Sequence, residues 1–149
     1  MKRSTTAALA AAGSALVLTA ALVAQAATPA EQRRDVMKQT GFAMRDSTGF
    51  ITGQTPWDAA KAKGLMDGVA ANAKKLKGLY PPGSDKDPKS EAAPAIWTNK
   101  ADFDKRLADM GAAATAASKA KTVDEFKAAF PKVSATCKSC HDIYRKKKA

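Results

Sequence analysis

The chain has only two cysteines and one histidine, and all three fall within five consecutive residues, Cys137-Lys138-Ser139-Cys140-His141. A Cys-x-x-Cys-His run supplies two thiols that can bond the two vinyl groups of a haem and an imidazole that can ligate its iron. The rest of the chain is therefore read around that haem. Other chemistries account for less. Structural zinc takes four Cys or His ligands, and only three are offered. A thioredoxin-like dithiol sits near a βαβ pattern, which this alanine-rich, strand-poor chain lacks. A plain disulfide would close a very small loop, remove little unfolded-state entropy, and explain neither the histidine nor the spacing. A haemless helical scaffold leaves the motif unexplained.

Met1-Lys2-Arg3 precedes an almost wholly apolar run from Ala7 to Val23, and Ala24-Gln25-Ala26 fits a small-x-small cleavage site. Residues 1–26 read as a secretory signal peptide. The alternative is an uncleaved anchor, but Gly13, Ser14 and Thr19 dilute the run. No twin-arginine pair is present, so export is expected to precede folding and cofactor attachment. The mature chain, residues 27–149, is expected to be soluble in the bacterial periplasm, with no membrane contact after cleavage.

Lys2 and Arg3 leave with that leader, which holds no acid, so 23 of the 25 basic residues remain against all 14 acidic ones, a formal +9. A positive surface steers a small protein towards an anionic partner, here a redox protein with an acidic docking surface. Nucleic acid is excluded as a partner, because no recognised motif is present and the basic residues are spread out except at Arg145-Lys146-Lys147-Lys148. That run equally suits a helix C-terminus.

The mature length fits one domain with a single core. Thr28-Pro29-Ala30-Glu31 combines an N-cap, proline at the first helical position and a capping-box glutamate, and predicts a first helix to about Thr48 with Val36, Met37, Gly41 and Met44 inward. Thr55-Pro56-Trp57-Asp58 repeats the start signal for a second helix, with a stripe of Leu65, Val69, Ala73, Leu76 and Leu79. Prolines and charges from Tyr80 to Trp97 read as a long connection. A third helix from about Asn99 aligns Phe103, Leu107, Met110, Ala114 and Ala117. The fourth opens at the capping box of Thr122 and Glu125, with a stripe of Phe126, Phe130, Val133, Cys137, Cys140 and Tyr144. Pro131 predicts a bend in it. The pattern is all-α, an antiparallel four-helix bundle in which facing helices build a cofactor site.

A haem motif on the last helix of such a bundle resembles the class II cytochromes c, the family of cytochrome c′. The likeness runs through Arg33 to Met37, Gly53 to Ala60, Pro94-Ala95-Ile96-Trp97 and Cys137 to Arg145. It implies one haem c bound covalently through Cys137 and Cys140, with His141 as the proximal iron ligand. The position four residues after Arg33, Met37, approaches the distal face, and Met37-Lys38-Gln39-Thr40-Gly41 looks like the low-spin c-556 type, in which methionine is the sixth ligand. Packing is the competing role for Met37. Met44 is a weaker alternative ligand, and Met66 and Met110 are expected in the core. Arg33 or Arg34, with the segment near Glu91, match positions around a haem propionate, solvated surface charge being the alternative. Arg145 is placed to reach the imidazole edge, and Phe126, Phe130 and Tyr144 to wall the haem.

The resulting expectation is a one-electron carrier, not an enzyme, since no acid–base constellation accompanies the motif. The alternative is a five-coordinate protein that binds nitric oxide or carbon monoxide at the distal face. Relatives occur as monomers and homodimers, and the sequence favours neither.

Overall fold

The computed structural model describes residues 26–88 and 90–147; the leader assigned to residues 1–26 lies outside them except for its last residue, as do Lys148 and Ala149. Four long helices form an antiparallel bundle: α1 (Pro29–Thr52), α2 (Ala59–Lys77), α4 (Lys100–Ala117) and α5 (Val123–Tyr144), with a short α3 (Ala95–Thr98) in the long connection. Among the described residues no helix is long and apolar enough to cross a membrane.

The helix starts follow their chemistry. The Thr28 hydroxyl accepts from Glu31 N and the Glu31 carboxylate accepts from Thr28 N, a complete capping box. At α5 the Thr122 hydroxyl accepts from Glu125 N, while the Glu125 carboxylate reaches one residue further back, to Lys121 N. The second start differs from expectation. Asp58, not Thr55, caps α2, accepting from Lys61 N at 2.9 Å. Thr55 belongs to the preceding turn, where its N–H donates to Gly49 O after Gly53 ends α1 in the left-handed region at φ 76°. That turn frees Trp57 to pack on Phe50 and Phe126. Helix α5 continues unbroken through the exposed Pro131.

The predicted α4 stripe, Phe103 to Ala117, is buried at every position. On α2 the buried face is Ala62, Met66, Val69, Ala73 and Leu76, with Leu65 and Leu79 at its margin. Burying a Phe or Leu side chain contributes roughly 1.5–3 kcal/mol, so these stripes hold the bundle together. Helix α2 packs along α4, α4 along α5 and α1 along α2. Between α2 and α4, Gly111 faces Ala73, where a Cβ would stand in ordinary contact at 3.5 Å. Helices α1 and α5 meet only sparsely, and their seam holds the site.

Among the described residues one buried side-chain polar atom is unsatisfied: Ser47 Oγ on α1 has no hydrogen-bond partner and no exposure. Ser47→Ala should therefore raise stability by about 1 kcal/mol, since a buried unpaired hydroxyl costs desolvation with no return. A urea-unfolding midpoint at or below that of the unaltered protein would rule this out.

Candidate functional site

The motif lies in the final turns of α5, and a small backbone clasp secures that end. Ala92 and Arg145 form an antiparallel bridge, with Ala93 N donating to Tyr144 O and Lys146 N to Glu91 O. Cys137, Cys140 and His141 are each half-buried, and no disulfide joins the two cysteines. Burial raises the Cys137 thiol and pushes Cys140 up to about 11. Redox-active thiols are instead held as thiolates by a depressed pKa, so this setting does not suit a dithiol redox pair. Burial, aided by Arg145, lowers the His141 imidazole against the opposing pull of Glu91 and Asp142. At neutral pH it is an uncharged donor, the form that ligates metals.

A cavity of ≈ 600 Å³ opens between α1 and α5, bordered by Met37, Gly41, Cys140 and His141 and by the aromatic walls Tyr80 and Phe103. A second, of ≈ 270 Å³, adjoins it through the same Met37, Gly41, Cys140 and His141 and is completed by Cys137 and Met110. A Cβ at Gly41 would meet nothing within 4 Å, so α1 leaves open space where it faces the motif. Volume, apolar walls and the thiol–imidazole set together fit a large flat group held from α5. Among the described residues no group of three or more His, Cys, Asp or Glu could hold a metal ion by itself.

Of the other predicted residues, Arg33, Arg34, Glu91, Arg145 and Tyr144 all border the larger cavity. Arg33 is not solvated surface charge. It is 5% exposed, and its two terminal nitrogens donate to Leu79 O, Ser84 Oγ, Ser84 O and Ser90 Oγ at 2.7–3.0 Å. Its Cζ lies 4.8 Å from the Tyr80 ring centroid. Met44 borders only the smaller cavity. Phe126 and Phe130 border neither of these two cavities. Phe126 packs with Phe50 and Trp57, and Phe130 against Phe126, with 10 or more residues of helix between them and Cys140, roughly 15 Å or more at 1.5 Å per residue.

The family model for Cytochrome C′ matches residues 28–145. The chain belongs to the cytochrome c′ family. It is 38% identical over 120 residues to a cytochrome c-556 of Agrobacterium tumefaciens, covering 79% of this chain and 97% of that protein. It is 37% identical over 119 residues to a cytochrome c′ of Rhodopseudomonas palustris, covering 79% and 82%. The solved structure of cytochrome c′ from Rhodopseudomonas palustris superposes with a TM-score of 0.79 at 35% identity, covering 83% of this chain and all of that one. Membership makes this a c-type cytochrome whose covalent haem c is attached through the cysteine pair, Cys137 and Cys140.

Several members of the cytochrome c′ site escaped the sequence reading. Tyr80, Ser90 and Ile96 lie in or beside the proline-rich connection, where no periodicity marks an inner face. Arg106 borders the smaller cavity; its only signal was an i,i+4 spacing from Asp102, which reads as ordinary helix surface.

Proposed function

We propose that this cytochrome is a periplasmic one-electron carrier, exported behind a leader cleaved after residue 26, its domain spanning residues 27–149. Haem c supplies an iron that passes between the ferric and ferrous states. In this reading His141 holds the proximal side from α5, and Met37 supplies a thioether from α1. The observation that carries it is that Met37 borders both cavities together with His141. A thioether is a soft donor that favours the reduced iron and denies the sixth position to gases. Arg33 or Arg34 would meet a propionate beside Glu91, all three bordering the larger cavity, with the terminal nitrogens of Arg33 also donating to the 79–90 segment. The basic surface suits an acidic redox partner, and the encounter should weaken with salt.

The test is the reduced spectrum of the haem-loaded protein with and without carbon monoxide. A low-spin spectrum with a sharp α band, unchanged by the gas, is expected; rapid carbon monoxide binding would instead assign a five-coordinate gas-binding protein. Attachment is checked separately. Cys140→Ala, expressed with haem-attachment machinery, should retain at most one thioether bond, and the variant lacking both thiols should lose all haem stain on a denaturing gel. Full staining of that double variant would overturn the assignment.

A further inference from the structure

Arg106 connects α4 to the turn that carries the motif. Its Nε donates to Asp102 Oδ2 at 2.6 Å and its Nη1 to Ser139 O, between the two cysteines, at 3.2 Å. The same Asp102 oxygen accepts from the Tyr144 hydroxyl at 2.6 Å, so one carboxylate gathers a donor from α4 and one from α5. The arrangement is polar in direction. Arg106 borders both the cavity with Cys137, Cys140 and His141 and a neighbouring cleft beside Thr136 and Ser139, whereas Asp102 borders that cleft and not the cavity. Arg106 and Tyr144 in turn hold the Asp102 carboxyl below its usual range.

We propose that Asp102 and Arg106 form an oriented ion pair that helps set the haem potential, with the guanidinium directed at the cavity and the carboxylate behind it. A positive charge near the iron stabilises the ferrous state relative to the ferric, and a negative charge does the reverse. The cationic end is nearer, so the intact pair raises the potential. Arg106 is a positioning residue as well, since its bond to Ser139 O holds the attachment turn at a fixed distance from α4. The pair is partly exposed, at 26% and 34%, so solvent and salt reduce the effect without cancelling it. The inference rests on the covalent haem and not on ligation by Met37.

The experiment is equilibrium redox titration of the haem-loaded protein and three variants, each also followed by thermal unfolding. Arg106→Gln leaves the Asp102 carboxylate uncompensated and should lower the ferrous-to-ferric ratio at fixed solution potential by about threefold to tenfold, tenfold being 59 mV for one electron. Asp102→Asn leaves the guanidinium unopposed and should raise that ratio. Arg106→Lys keeps the charge and should restore most of the loss. Loosening of the bundle alone would move the first two variants in the same direction, and the thermal midpoint would fall without this opposition of sign. Shifts of equal sign, of reversed sign or of negligible size overturn the proposal. If Arg106→Gln fails to retain haem, the rise with Asp102→Asn and the near-native value with Arg106→Lys still decide it. A change in carbon monoxide reactivity bears on Met37 and leaves this test untouched.

Discussion

Met37→Ala in the haem-loaded protein should convert a reduced spectrum indifferent to carbon monoxide into one that shifts fully when the gas is added. The substitution removes the thioether and enlarges the space that Met37 shares with His141 on both sides of the seam. With no soft donor from α1, the sixth position is left to water or gas, and the ferrous-to-ferric ratio at fixed solution potential should fall by at least about tenfold. Stability should change little by comparison, by roughly 1–2 kcal/mol, since Met37 is only partly buried. Met44→Ala is the control: Met44 borders the smaller cavity alone, and its loss should leave the spectrum as it was. If the unaltered protein already binds carbon monoxide as readily as Met37→Ala, Met37 is packing only.

The largest loss of stability should come from Arg33→Met, about 3–4 kcal/mol, with a thermal midpoint lower by roughly 10 °C. The guanidinium donates to Leu79 O, Ser84 Oγ, Ser84 O and Ser90 Oγ and stacks near Tyr80 and Trp97, so it fastens the long connection to α1. Methionine fills part of the volume and takes the guanidinium donors from the part-buried Leu79 O, Ser84 Oγ and Ser84 O, while Ser90 Oγ still accepts from Ala92 N. Arg33→Lys keeps a charge without the planar fork and should recover only a minority of the loss. Limited proteolysis should then cut between Tyr80 and Trp97 before it cuts the helices. A loss below about 1 kcal/mol by urea unfolding, with no new cleavage there, would show that the connection is held by other contacts.

Much of the site was legible before any fold was known, for reasons visible in particular residues. The motif at 137–141 is a local signal, because the thiols and the imidazole must be near neighbours in sequence to serve one haem. The capping threonines Thr28 and Thr122 were legible because a cap is satisfied within three residues. The α4 stripe was legible because the 3.6-residue period records which face is apolar. Where two local signals competed, the reading slipped. Both Thr55 and Asp58 can cap a helix, and closure of the turn on Gly49 O gave the cap to Asp58.

The stripe of α5 shows where that information ends. Its apolar positions were identified together, yet Phe126 packs with Phe50, Trp57 and Phe130 at one end, while Cys140 and Tyr144 border the cavity at the other. Periodicity gives a face, and only the position of neighbouring helices along that face says what it meets. Arg33 was likewise placed beside the haem by resemblance, but its partners lie 46 to 57 residues away, in a segment with no repeating pattern. The sequence by itself determined the cofactor chemistry, the helical class and the starts of α1, α4 and α5, all of which depend on contacts within a turn or two. Tertiary structure alone decided that Arg33 is a buried fastening and that Arg106 ties α4 to Ser139 O between the two cysteines, because hydrogen bonds and charges act across space between segments whose separation along the chain carries no record of their meeting.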